Sequence, residues 1–179
     1  ITDFAQVKTM SEEDAKAAGL YEVIGEEIDD RYMEALKNLV LRPEAIKEQA
    51  DKLKIVYTPL HGTGNIPVRR VLKELGFNNV YVVKEQELPD GDFPTVSYPN
   101  PEDKNAFTLA LKLAAEVDAD IVLATDPDAD RLGIYAKNEK TGEYESFTGN
   151  MSGMLILEYL LSQRKELGML PENGAVVTT

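Results

Sequence analysis

Three aspartates, Asp126, Asp128 and Asp130, fall at alternate positions, and Arg131 stands directly behind them. They follow an apolar run, Ile121-Val122-Leu123-Ala124. Acids this close repel one another unless a cation lies among them. A plain turn is often built from aspartate and proline, but it gains nothing from that repulsion. Hard oxygen donors without a thiolate point to Mg²⁺, Mn²⁺ or Ca²⁺. An arginine beside such a site suits a phosphate or a carboxylate. The loop therefore predicts metal-assisted phosphate chemistry.

Two other acidic motifs compete for the same residues. A calcium EF-hand loop needs glycine at its sixth position and a bidentate acid at its twelfth. Counted from Asp126, those positions hold Arg131 and Lys137, so that reading fails. A dehalogenase-type phosphatase also sets paired aspartates after a strand, the first as nucleophile. Its motif continues with glycine and then threonine or valine, whereas here Arg131 and Leu132 follow.

The loop His61-Gly62-Thr63-Gly64-Asn65 could present backbone N–H groups to a phosphate at a helix start. It lacks the Gly-Lys-Ser/Thr of a Walker loop. A tight strand-to-helix turn that needs glycine explains it equally well. His61 is the only histidine. It cannot form a histidine metal cluster, so a structural hydrogen-bonding role is expected. Asp92-Phe93-Pro94 and Pro99-Asn100-Pro101-Glu102 read as a proline-stiffened connection into a helix. Glu26, Glu27, Asp29 and Asp30 read as favourable charges near a helix N-terminus.

The formal charge of −13 argues against a nucleic-acid partner, whose phosphates would be repelled. Absence of cysteine excludes a disulfide framework and thiolate chemistry. No apolar run is long enough to span a membrane, and no secretory segment is visible, so a cytoplasmic location is expected. Hydrophobic residues make up 43%, enough for a sizeable core within 179 residues. The chain opens at Ile1 and closes on Ala175-Val176-Val177-Thr178-Thr179, which reads as a strand just begun. Both ends suggest a piece of a longer protein.

Positioning these loops falls to alternating strands and helices. Ser11 is expected to cap a short helix stopped by Gly19, with Asp14 at the capping-box position. Apolar spacing predicts helices over 26–41 and 43–53. Strands are expected at 55–57, 80–83, 121–124, 132–135 and 144–147. The fourth is expected to run antiparallel to its neighbour. Helices are expected through Val68, Val71, Leu72 and Leu75 to a stop at Gly76, over 101–117, and after Gly149-Asn150 through Met154, Leu157, Leu160 and Leu161 to Gly168. The fold class is α/β: a three-layer α/β/α sandwich around a mixed, mostly parallel sheet. Ligands in such sheets collect beyond the carboxyl ends of strands, where the glycine loop and the acidic loop both lie.

Four segments, in order, carry a resemblance: Thr58-Pro59-Leu60-His61-Gly62-Thr63-Gly64; Phe93-Pro94-Thr95 with Pro99-Asn100-Pro101-Glu102; Asp126 to Arg131; and Thr148-Gly149-Asn150. Together they resemble the α-D-phosphohexomutases, the phosphoglucomutase/phosphomannomutase family. The resemblance implies a four-domain protein. Residues 1–25 would then be the tail of the first domain and a linker, 26–148 the metal-binding second domain, and 149–179 the start of the third. It implies that Asp126, Asp128 and Asp130 hold Mg²⁺, with a further ligand from a phosphoserine on the first domain. It implies that Arg131 is catalytic, stabilising charge on the phosphoryl group. The phosphosugar substrate and the other domains of the same chain would be the partners. The family's phosphoserine loop has no counterpart here, so the chain alone is expected to be inactive. The sugar-reading loop of the third domain and the phosphate-clamping loop of the fourth are also missing.

Overall fold

The computed structural model describes residues 2–177. In chain order the elements are α1 (Glu12–Ala17), α2 (Glu26–Lys37), α3 (Pro43–Gln49), β1 (Ile55–Thr58), α4 (Asn65–Glu74), β2 (Val80–Val82), α5 (Thr108–Val117), β3 (Ile121–Thr125), β4 (Leu132–Lys137), β5 (Tyr144–Phe147) and α6 (Gly149–Glu166). Ser11 caps α1 by accepting the Asp14 N–H, and Gly19 follows the helix at φ +68°. That left-handed value costs glycine little.

Five strands form one sheet in the order β2-β1-β3-β4-β5. β1 pairs in parallel with both β2 and β3, while β3–β4 and β4–β5 are antiparallel. The sheet is mixed and mostly parallel, as expected: β1, β2, β3 and β5 run one way and β4 alone is reversed. The physical reason for the reversal is loop length. A parallel return needs a crossover of a dozen or more residues, and the links after β3 and β4 are far shorter.

The chain crosses from β1 to β2 in one direction and from β2 back over β1 to β3 in the other. Right-handed crossovers then set α4 and α5 on opposite faces, and α2 packs on α4. This is the expected three-layer arrangement. All four residues of β1, Ile-Val-Tyr-Thr, are buried, as a central strand covered on both faces requires. On the α5 face, Val56, Val122, Ala124 and Tyr135 meet Phe107, Ala110 and Ala114 in one core. Phe107 and Tyr135 stack with ring centroids 4.6 Å apart.

The helix expected over 101–117 begins only at Thr108, preceded by a 3₁₀ turn over Lys104–Phe107. Asn100 Oδ1 accepts the Glu102 N–H at 2.9 Å, and Asp103 Oδ1 accepts the Asn105 N–H at 2.9 Å. Such local bonds offer the backbone an alternative to the helix. Helices α2 and α3 also end short of Leu41 and Leu53. The strand expected from Ala175 does not form over Ala175–Val177, which has no regular structure. No strand lies beside it among the described residues. Thr178 and Thr179 lie outside the described residues. No described helix is long and apolar enough to cross a membrane.

Two side-chain constraints tie the sheet to its loops. At Gly133 in β4 a Cβ would lie 2.4 Å from the Pro101 carbonyl oxygen and 2.8 Å from Phe107 Cζ. Tyr57 Oη lies 2.8 Å from Thr125 Oγ1 in a buried bond from β1 to the end of β3. Burial pushes the Tyr57 phenol up from its ordinary value, and the Thr125 hydroxyl partly offsets this.

Gly133→Ala should lower stability by about 1–3 kcal/mol, read as a reduced urea midpoint with an unchanged slope. An unchanged midpoint would show that the Pro101 segment yields without cost. The raised Tyr57 phenol also predicts a pH effect. The folded chain holds that proton more tightly than the unfolded chain, so its contribution is whole below a phenol's ordinary value of ~10 and is lost as pH rises through the folded value. Urea stability should therefore fall in alkali, and Tyr57→Phe should flatten that fall. Tyr144, raised mainly by its own burial, should leave a residual slope.

Candidate metal centre

β3 ends at Thr125, and the chain turns at once through Asp126-Pro127-Asp128-Ala129-Asp130 before β4. The turn closes on itself. The Ala129 N–H donates to the Asp126 carbonyl at 3.0 Å, and Ala129 takes φ +60°, a left-handed value uncommon for residues with a Cβ. The Arg131 N–H donates to Asp126 Oδ1 at 3.1 Å. Asp126 is buried at the root of the loop, while Asp128 and Asp130 are exposed.

The three predicted ligands are brought together. One carboxylate oxygen from each lies within 4.8 Å of the others. Oxygens shared by one octahedral Mg²⁺ sit roughly 3–4 Å apart, given Mg–O distances of about 2.1 Å. The gap is small, and the two exposed side chains can close it by rotation. The donor set is all oxygen, acidic and partly open to water, which fits a hard divalent cation.

Arg131 lies where its position in the sequence implies. Its Nε is 3.7 Å from both Asp126 Oδ2 and Asp130 Oδ1. These are ion pairs beyond hydrogen-bond length. The guanidinium spans two of the three carboxylates and is half exposed, so it still presents N–H donors outward.

The glycine loop lies directly against the acidic loop. The Thr63 N–H and Oγ1–H both donate to the Pro127 carbonyl, at 2.8 and 3.1 Å. A Cβ at Gly62 would fall 2.4 Å from Pro127 Cα, and one at Gly64 would fall 2.6 Å from Tyr57 Oη and 2.7 Å from Thr125 Oγ1. Glycine is needed here for close approach. The left-handed turn itself is made by Leu60 and His61, at φ +47° and +62°. The loop is a poor phosphate cradle as it stands. The N–H groups of His61, Gly62 and Thr63 already donate to Gln86, Pro59 and Pro127 carbonyls.

His61 has the structural role expected of it. It is buried, with Nδ1 3.0 Å from the Leu88 carbonyl and Nε2 2.9 Å from Thr95 Oγ1. Thr58 Oγ1 donates to Gln86 Oε1 at 2.7 Å, and Gln86 Nε2 donates to Thr95 Oγ1 at 3.1 Å. One consistent assignment lets the Thr95 hydroxyl donate to Nε2 and Nδ1–H donate to Leu88. This network fastens the Glu85–Asn100 connection to the end of β1. Sequence reasoning missed Gln86 and the pairing of Thr63 with Pro127. The two glycines at 62 and 64 were the only visible signal of a close approach.

Comparison with known proteins agrees with this arrangement. Residues 30–142 match the family model described as phosphoglucomutase/phosphomannomutase, alpha/beta/alpha domain II. A Haemophilus influenzae protein named "Probable phosphomannomutase" is 39% identical over 143 residues, covering 80% of this chain and 28% of that protein. The phosphoglucomutase of Staphylococcus saprophyticus is 39% identical over 140 residues, covering 78% of this chain and 24% of that protein. The chain thus spans about a quarter of the length of these curated relatives. A phosphoglucomutase/phosphomannomutase family protein from Burkholderia thailandensis shares the fold, with a TM-score of 0.55 and 24% identity, covering 76% of this chain and 26% of that one. With the family model covering most of the α/β region and the acidic loop inside it, the chain belongs to the phosphoglucomutase/phosphomannomutase family.

Proposed function

We propose that this chain is the metal-holding portion of a cytoplasmic phosphohexomutase, which moves a phosphoryl group between O1 and O6 of a hexose through a bisphosphate. The observation that carries the reading is the convergence of Asp126, Asp128 and Asp130 at the carboxyl end of β3, with Arg131 laid across two of them. Family membership supports it, as do the names of the relatives. Residues 26–148 act as the second domain. Residues 1–25 belong with the first domain and its linker, and residues 149–179 with the third. The exposed apolar side chains of α6, among them Met154, Leu155 and Ile156, support its packing against further chain.

Asp126, Asp128 and Asp130 hold the Mg²⁺. When bound, the ion neutralises phosphoryl oxygens and orients them, which is most of what phosphoryl transfer requires of a protein. Asp126, anchored by the Arg131 N–H, fixes the base of the site, and the two exposed aspartates supply the adjustable donors. Arg131 turns part of its guanidinium from the carboxylates toward the transferring phosphoryl group and offsets its charge. The phosphate donor is a phosphoserine on the first domain, and the sugar is read by the third and fourth domains. The partners are thus a phosphosugar and the other domains of the same chain. The −13 charge argues against a nucleic-acid partner.

Titration with Mg²⁺ or Mn²⁺ should give weak saturable binding to this chain. Asp128→Asn should weaken it by roughly tenfold or more, the scale already found for groups one shell further from a metal. Mg²⁺ should also raise the melting temperature of the wild type more than that of the variant. Indistinguishable binding by the two proteins would sink the metal assignment.

The chain alone should not convert glucose 1-phosphate to glucose 6-phosphate, because the phosphate donor lies elsewhere. Turnover by this polypeptide would overturn the division of labour proposed here. Formation of an aspartyl-phosphate mimic with beryllofluoride would favour a dehalogenase-type phosphatase instead.

A further inference from the structure

We infer that Thr63 is a positioning residue of the acidic loop, acting on Asp128 through the Pro127 carbonyl; this rests on the metal-holding role proposed above. The argument begins with what the loop lacks. The three carboxylates repel one another, so without a cation they favour a splayed loop. Asp126 resists this through its own oxygens, which accept the Ala129 and Arg131 N–H groups. Arg131 pairs with Asp126 and Asp130. Asp128 has neither aid. Its carboxylate takes part in no hydrogen bond or ion pair among the described residues.

What orients Asp128 is therefore its backbone. The Ala129-to-Asp126 bond closes the turn only on itself, and Pro127 has no N–H to offer, so the Pro127 carbonyl is what ties this side of the turn to the neighbouring loop. That oxygen receives two donors from one residue, the Thr63 N–H and the Thr63 hydroxyl. The Pro127–Asp128 peptide unit is planar, so holding the carbonyl also sets the direction of the Asp128 N–Cα bond. Gly62 and Gly64 let the two loops approach closely enough for this bond pair. Thr63 itself is exposed, so its hydroxyl can be changed without opening the core.

The test compares Thr63→Val and Thr63→Ser with the wild-type chain. Valine keeps the branched shape and the backbone N–H but removes the hydroxyl, and serine restores the hydroxyl. Mn²⁺ affinity is read by paramagnetic resonance well below the unfolding temperature, and stability by urea unfolding. Thr63→Val should bind Mn²⁺ about three- to tenfold more weakly, as loss of one modest hydrogen bond implies, with its urea midpoint little changed. Thr63→Ser should bind within about twofold of wild type. If wild type binds Mn²⁺ and Thr63→Val binds it equally well, the positioning role is wrong while the metal site stands. If Thr63→Val loses affinity and serine does not recover it, the hydroxyl is not the cause and the role is equally wrong. If wild type itself binds no Mn²⁺, the metal reading fails, and this inference fails with it.

Discussion

Mutual repulsion among Asp126, Asp128 and Asp130 is the constraint that organises this end of the sheet. Three carboxylates this close together are unfavourable while no cation lies among them. Their closeness has to be maintained by groups other than themselves. The structure meets this with backbone donors at Asp126, a guanidinium at Asp126 and Asp130, and a neighbouring loop that grips Pro127. Each contact acts on a different part of the turn, so the loop keeps its shape while two of its acids stay exposed.

That arrangement reaches back into the core. The grip on Pro127 needs β1 and β3 to be adjacent and parallel, so that their carboxyl ends, and hence both loops, meet on the same side. It also needs Gly62 and Gly64, because side chains there would collide with Pro127, Tyr57 or Thr125. The Tyr57–Thr125 bond fixes the same junction from within. The His61-Gln86-Thr95 network then ties the long connection after β2 to the turn that carries the glycines.

Family membership and local geometry contribute different things to the functional reading. The relatives say which family the chain belongs to. Side-chain geometry shows what this chain brings together: three hard-oxygen donors with an arginine beside them.

The sequence by itself determined most of the elements and the donor set of the loop. Period and caps placed α1, α4 and all five sheet strands, because local sterics and burial act within a few residues. The alternate aspartates pointed to a cation site because like charges crowded this closely in sequence repel one another. Tertiary structure decided the rest. The start of α5 moved to Thr108, since Asn100 and Asp103 bond their own backbone instead. The antiparallel pairing of β5 with β4 emerged only in the sheet, where a second short link turns the chain back. The glycine loop read as a phosphate cradle or a tight turn, yet it proved to be the surface on which the acidic loop rests. Thr63 and Pro127 are 64 residues apart. Nothing local links them; only the pairing of β1 with β3 brings one to the other.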